Sequence, residues 1–194
     1  MDTAPAARRP KFSHLGIAAV DLPAMEAFYT ELLGMVVTDR GETAGLEIVF
    51  LSGDPAEHHQ LVLASGRPRT MPPNEANPAF GAVLNQISFR LDDLAGLKAL
   101  NQRLAARGVG LMMTANHGVS LSIYFPDPDG NMVECFVDTD WYCTQPVLEP
   151  FDLSQPDEEI LAQARKIAES GQNFMPIDDW RVGITRSMER AGPR

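Results

Sequence analysis

The sequence predicts an α+β fold of two βαβββ modules that together form a curved half-barrel with a cleft, followed by a C-terminal helical extension. Residues 84–94, LNQISFRLDDL, repeat the pattern of residues 12–22, FSHLGIAAVDL. Each copy continues with a helical pattern and then with two β-prone runs joined by a turn. Matching elements in the same order indicate an internal duplication. The chain after residue 138 has no counterpart in the first copy.

Each repeat begins with a β-prone run that ends at an aspartate, Asp21 or Asp93. A run with apolar residues three and four positions apart follows, which is typical of a helix with one buried face. Gly34 and Gly108 come directly after these runs, where a helix cap is expected. The periodic positions are Leu22, Met25, Phe28 and Leu32 in the first copy and Leu94, Leu97, Leu100 and Leu104 in the second.

The second half of each repeat reads as a hairpin. Turn-forming residues, 53–55 in the first copy and 127–131 in the second, separate two β-prone runs. The modules therefore span residues 12–65 and 83–138. Residues 1–11 are expected to be a disordered lead-in. Residues 66–82 contain prolines at positions 68, 72, 73 and 78 and are expected to form a linker.

Residues 139–194 are expected to form the helical extension. The stretch SQPDEEILAQARKIAESG carries helix signals: Ser154 and Asp157 suggest a capping box, Pro156 falls in the first turn, and Gly171 lies past the end. The sequence leaves three roles open for this segment: packing on the core, contact with another subunit, or a cover over the cleft.

Composition excludes some classes of partner. The formal net charge is −10 at pH 7 and the isoelectric point is about 4.8, which argues against binding to nucleic acid or an anionic membrane. No apolar run approaches the roughly 18 residues that span a bilayer. Cys135 and Cys143 do not make a disulfide framework, so we expect reduced thiols in a cytoplasmic protein.

Glu134 is the first candidate for chemistry, because it lies between apolar residues in the stretch NMVECFV. A carboxylate in such a strand faces water, pairs, or binds a metal. Its counterpart in the first copy is expected to be Gln60 or, with a shift of one residue, His59.

His14 and Gln86 occupy the same position at the start of the two repeats. Related strands would direct both side chains toward the pseudo-twofold axis, and Glu134 would approach from the neighbouring strand. Such nitrogen and oxygen donors suit Fe(II), Mn, Co, Ni or Zn. Each of these residues could instead be structural.

Three further side chains could handle protons or contact a substrate. Of His58 and His59, only one is expected to face the cleft, as a general acid or base beside a metal. Tyr124 is either a core aromatic residue or a phenol that donates to a substrate oxygen. His117 lies in a loop just before that hairpin, where it could overhang the cleft.

The repeat, together with HLGIAAVDLPAMEAFYTELLGM and YFPDPDGNMVECF, resembles the vicinal oxygen chelate superfamily of glyoxalases, bleomycin resistance proteins and extradiol dioxygenases. Within it, HHQLVL, a tyrosine ten residues before the glutamate and a histidine before that tyrosine are most similar to type I extradiol dioxygenases. The resemblance covers residues 12–138.

This resemblance implies a metal-dependent enzyme that cleaves a catechol-type aromatic substrate with O2 and is a homodimer. It implies His14, Gln86 and Glu134 as ligands of Fe(II), His59 as acid or base, and Tyr124 and His117 as substrate contacts. The dioxygenase pattern has histidine where Gln86 stands. Two alternatives stay open: a lyase or isomerase of the glyoxalase or epimerase kind, which uses a divalent metal and a second glutamate, and a metal-free protein that binds a small molecule in the same cleft.

Overall fold

The computed structural model describes residues 11–70, 75 and 84–191. The predicted lead-in up to residue 10 lies outside the described residues. So do residues 71–74 and 76–83, which include most of the predicted linker. The described part of the chain contains two four-stranded sheets and a small two-stranded one.

The first sheet has the strand order β1-β4-β3-β2, in which β1 pairs with β4 in parallel and the other pairs are antiparallel. Its strands are β1 (Leu15–Ala19), β2 (Val36–Thr43), β3 (Leu46–Ser52) and β4 (Leu61–Ser65).

The second sheet repeats this topology in the order β5-β8-β7-β6, again with one parallel pair, β5 with β8. Its strands are β5 (Ile87–Arg90), β6 (Met113–Asn116), β7 (Ser120–Pro126) and β8 (Met132–Asp138). The predicted fold class, a duplicated α+β arrangement of open sheets with a C-terminal helical part, is confirmed.

A helix follows the first strand of each sheet. Helix α1 (Leu22–Ala27) continues as a π-helical turn over Phe28–Leu32, and α2 spans Leu94–Ala106. Asp21 and Asp93 cap these helices by accepting hydrogen bonds from backbone N–H groups. All eight periodic apolar side chains are buried, as their spacing predicts. Gly34 and Gly108 adopt positive φ angles after the helices.

Two aspartates in the β7–β8 turn join the second sheet to α1. The Tyr29 hydroxyl donates to Asp127 over 3.0 Å, and the Val20 N–H donates to Asp129 over 2.6 Å. Burial raises the pKa values of both Tyr29 and Asp127. The turn of the predicted second hairpin therefore also connects the two repeats.

The C-terminal extension contains α3 (Asp157–Ser170), α4 (Ile177–Ala191) and a short pair of strands, β9 (Trp141–Tyr142) and β10 (Met175–Pro176). The capping box predicted for α3 is wrong. Pro156 is the N-cap and supplies no side-chain bond, because Ser154 instead bonds to Asp152 in the preceding turn. The helix does end at Gly171, as predicted.

Within the described residues, no helix is both long enough and apolar enough to cross a membrane.

Candidate active site

Glu134 is the centre of a polar network on one face of the second sheet. It lies in the middle of β8 with only 7% of its surface exposed. Its Oε1 accepts a hydrogen bond from the Tyr124 hydroxyl at 2.6 Å, and Oε2 accepts from Gln86 Nε2 at 2.7 Å and from Ser88 Oγ at 2.5 Å. Three uncharged donors thus replace the water that this buried carboxylate loses.

Strand register brings these groups together. Tyr124 on β7 and Ser88 on β5 are both direct partners of Glu134 on β8. Side chains alternate between the two faces of a sheet, so Gln86, two residues before Ser88, lies on the same face. The opposite face of β8 packs Val133 and Cys135 into the core.

The same register shows that the predicted counterpart of Glu134 in the first sheet is wrong. Gly16 on β1, which corresponds to Ser88, pairs with Val62 on β4. Val62 therefore occupies the equivalent place, since β4 begins only at Leu61 and His59 precedes it. The first sheet offers an apolar residue where the second has its carboxylate.

Tyr124 connects Glu134 to His117. The His117 Nε2 lies 3.2 Å from the Tyr124 hydroxyl, and Nδ1 lies 2.5 Å from the carbonyl oxygen of Val147. Because a carbonyl only accepts, Nδ1 carries a hydrogen, and this bond fixes the ring with Nε2 toward the tyrosine. Burial, followed by the hydrogen bond to Glu134, raises the pKa of Tyr124, so the phenol stays protonated.

Gln86 directs its amide nitrogen, not its oxygen, at the carboxylate. Nε2 donates both to Glu134 and to Ser88 Oγ, the latter at 3.0 Å. The amide oxygen has a single long contact, 3.4 Å, with the Asn85 side chain.

Three histidines form a separate group on the first sheet, which we call the histidine group: His14, His58 and His59. The rings of His14 and His59 lie 4.3 Å apart, and the Nδ1 atoms of His58 and His59 are 2.9 Å apart, so that one of them donates a hydrogen bond to the other. Desolvation lowers the pKa of His59, and the neighbouring His14 and His58 lower it further. Both adjacent histidines precede β4 and lie in contact with each other.

The structure therefore brings Gln86, Glu134, Tyr124 and His117 into one network, and His14 and His59 into another. Among the described residues His14 makes no hydrogen bond to Gln86 or Glu134. Within this same part of the chain, no group of three or more His, Cys, Asp or Glu side chains is arranged to hold a metal ion. The predicted ligand set of His14, Gln86 and Glu134 includes an amide, which belongs to none of these four types.

Ser88 is the residue of this network that the sequence analysis missed. Its position two residues after Gln86 was the available signal, because alternation along a strand places it on the same face as Gln86. A cavity of about 570 Å³ reaches this part of the sheet. Its walls come from the starts of β1 and β5 and the turn before β4, and include Ser13, Leu15, Leu61, Gln86, Ser88 and Phe89.

The model of the glyoxalase/bleomycin resistance protein/dioxygenase superfamily matches residues 11–135, which is more than half of the chain. The chain belongs to this superfamily. Two relatives from Rhodococcus globerulus are similar to it: biphenyl-2,3-diol 1,2-dioxygenase 2 is 31% identical over 129 residues, and biphenyl-2,3-diol 1,2-dioxygenase 3 is 32% identical over 129 residues. These matches cover 66% of the chain but only 63% and 64% of the relatives.

Solved structures of the superfamily show the same fold. A glyoxalase/bleomycin resistance protein/dioxygenase domain from Frankia sp. EAN1pec aligns with a TM-score of 0.57 at 21% identity, covering 68% of this chain and 99% of that one. A fosfomycin resistance protein from Listeria monocytogenes, solved with Mn(II) and sulfate, aligns with a TM-score of 0.52 at 17% identity, covering 68% and 95%.

Proposed function

We propose that the chain is an extradiol-type dioxygenase, which binds a catechol-type aromatic compound through its two neighbouring oxygens and opens the ring with O2. The observation that carries this proposal is the buried Glu134 carboxylate joined through Tyr124 to His117. This arrangement offers an anionic centre beside a protonated phenol and an oriented imidazole. The similarity to two biphenyl-diol dioxygenases supports the same chemistry.

The donor set fits a divalent metal by its chemistry. His14 has an imidazole nitrogen, Glu134 has carboxylate oxygens, and Gln86 has an amide oxygen that is only weakly engaged. Such mixed nitrogen and oxygen donors suit Fe(II) and, as alternatives, Mn, Co, Ni or Zn. His14, Gln86 and Glu134 are the residues that would hold Fe(II), which would supply the redox chemistry between the catechol and O2.

The remaining residues position the substrate and its protons. The lowered pKa of His59 favours its uncharged form, which can take a proton from a substrate hydroxyl. Its Nδ1 faces His58, which leaves Nε2 for this role. Tyr124 and His117 present hydrogen-bonding groups to a substrate oxygen at the second sheet.

The glyoxalase type of ligand set is less well supported. It needs a second glutamate, and the strand position that would provide one holds Val62. An aliphatic side chain cannot coordinate a metal, so we do not propose lyase or isomerase activity.

One observation favours a second candidate, a metal-free protein that binds a small molecule. Both oxygens of Glu134 already accept hydrogen bonds, and Gln86 donates to the carboxylate instead of facing it with its oxygen. Such a network satisfies the buried charge without a cation.

Metal content separates the two candidates. The wild type, Gln86→His and the control Glu134→Gln are purified identically without chelator under anaerobic conditions, and iron is measured together with O2 uptake on adding catechol. For a dioxygenase, the wild type carries near-stoichiometric iron and consumes O2, while Glu134→Gln loses both. If the wild type is empty and inactive while Gln86→His fills, the metal-free candidate replaces the dioxygenase.

A further inference from the structure

We propose that Arg90 binds an anionic substituent of the substrate, so that the preferred substrate is a catechol bearing a carboxylate-type group. This inference rests on the proposed catechol site and adds the substrate class. Arg90 is the last residue of β5 and lies on the same face as Gln86 and Ser88, because side chains two apart share a face. The network around Glu134 and the guanidinium therefore belong to one continuous surface.

The Arg90 side chain is held over that surface. Its guanidinium lies 5.3 Å from the centre of the Phe136 ring, and Phe136 is its direct partner on β8. Stacking on an aromatic ring orients the guanidinium plane at small entropic cost. The side chain is nevertheless 66% exposed, so a ligand can reach it.

Arg90 has hydrogen-bond donors that no described residue occupies. In the described part of the chain its single ion-pair partner is Asp138, which lies 3.4 Å from Nε. The two terminal nitrogens therefore remain available for a carboxylate, which arginine binds through two parallel bonds. The Asp138 carboxylate also lies 3.6 Å from the guanidinium of Arg181 in α4, so Asp138 forms ion pairs with both arginines. Arg181 pairs in turn with Asp178, which is 84% exposed.

The spacing selects a substrate shape. Successive side chains on one face of a strand are about 6.6 Å apart. Arg90 is therefore about this far along the strand from Ser88, which lies beside Glu134. A catechol whose acidic group lies opposite its two hydroxyls, such as 3,4-dihydroxyphenylacetate, spans a comparable distance. Because the chain carries a formal net charge of −10, an anionic ligand needs a local guanidinium of this kind to overcome the overall repulsion.

Anaerobic calorimetry tests the inference without turnover. The binding of 3,4-dihydroxyphenylacetate, its neutral methyl ester and unsubstituted catechol is measured for the purified protein, with and without added Fe(II). We expect the acid to bind about ten-fold more tightly than the ester, as a charge-assisted pair at an exposed site can provide. Arg90→Gln should abolish this preference and leave catechol binding unchanged, while Arg90→Lys should keep part of it.

Arg107→Gln is the matched control, since Arg107 is an exposed arginine at the C-terminal end of α2 that pairs with Glu31. Equal affinity of the wild type for acid and ester, with catechol still bound, overturns the role of Arg90 and leaves the proposed function intact. If none of the three compounds binds, the proposed function fails and this inference fails with it. Circular dichroism of Arg90→Gln confirms that any loss is not unfolding.

Discussion

A carboxylate buried in a sheet is the centre of the candidate site. Glu134 would be strongly destabilising without partners, since moving a charge out of water costs several kcal/mol (about 2–7 even for neutral polar groups). Tyr124, Gln86 and Ser88 offset that cost with hydrogen bonds to both oxygens. All three donors are uncharged, so none of them is a counter-ion for the carboxylate.

Tyr124→Phe tests this balance. Removing the hydroxyl deletes the donor to Glu134 Oε1 and leaves that oxygen buried without it, so we expect a loss of about 1–3 kcal/mol in the free energy of unfolding. Urea unfolding at neutral pH measures it. Tyr142→Phe is the control. The ring of Tyr142 stacks on Trp180, so this variant also loses a tyrosine hydroxyl but leaves the hydrogen bonds of Glu134 unchanged. Equal stability of the two variants would contradict a supporting role for the phenol.

At the scale of elements, the strand register and the β7–β8 turn determine where the residues of the candidate site lie. The parallel pairing of β5 with β8 puts Ser88 beside Glu134, and the turn that precedes β8 is anchored to the start of α1. Asp129 is central to this anchor, since it accepts from Val20 N–H and lies 4.0 Å from the Arg67 guanidinium with a side chain only 3% exposed.

Asp129→Ala should therefore lower the free energy of unfolding by about 1–3 kcal/mol, because it leaves a backbone N–H without its acceptor and Arg67 without a nearby carboxylate. Denaturant unfolding followed by circular dichroism gives the value. The exposed Asp92 provides the comparison as Asp92→Ala, for which a change within about 0.5 kcal/mol is expected. An Asp129 variant as stable as the Asp92 variant would show that the turn does not hold the repeats together.

At the scale of the whole molecule, buried thiols make stability depend on pH. Burial, with a smaller contribution from Glu134, raises the pKa of Cys135 from 9.0 to about 12. The folded chain therefore keeps this proton between pH 9 and 12 while the unfolded chain releases it. The contribution of Cys135 to the free energy of unfolding is therefore constant below pH 9 and decreases as the pH rises above 9.

Between pH 8 and pH 10, Cys135 is expected to lower the free energy of unfolding by about 1.4 kcal/mol. Unfolding by urea at the two pH values, in the wild type and in Cys135→Ala, isolates the contribution, since other groups titrate equally in both. The wild type should lose about 1.4 kcal/mol more than the variant over this interval. An identical loss in the two proteins would mean that Cys135 does not titrate differently on unfolding.

Periodicity and repetition predicted the fold class well, because every apolar position of α1 and α2 identified by spacing is buried. Pairing of strands was harder to predict. Register is set by long-range hydrogen bonds, so the sequence could suggest Gln60 or His59 opposite Glu134 but could not place Val62 there. The same limit hid the contact between Ser88 and Glu134, which are 46 residues apart, although the spacing of Ser88 from Gln86 was a local signal. For α3, a local cap signal was outcompeted by the turn at Asp152.

Val62 and Gln86 carry an evolutionary consequence. Valine codons GUA and GUG become glutamate codons by one change at the second base, and glutamine codons become histidine codons by one change at the third. A histidine at position 86 is thus a single nucleotide substitution away from any glutamine codon, and a glutamate at position 62 is a single substitution away where the valine codon is GUA or GUG. Both positions lie on the face of their sheet that is turned away from the core, since Leu61, Leu63 and Ile87 point into it. A change of side chain at either position therefore leaves the buried packing in place.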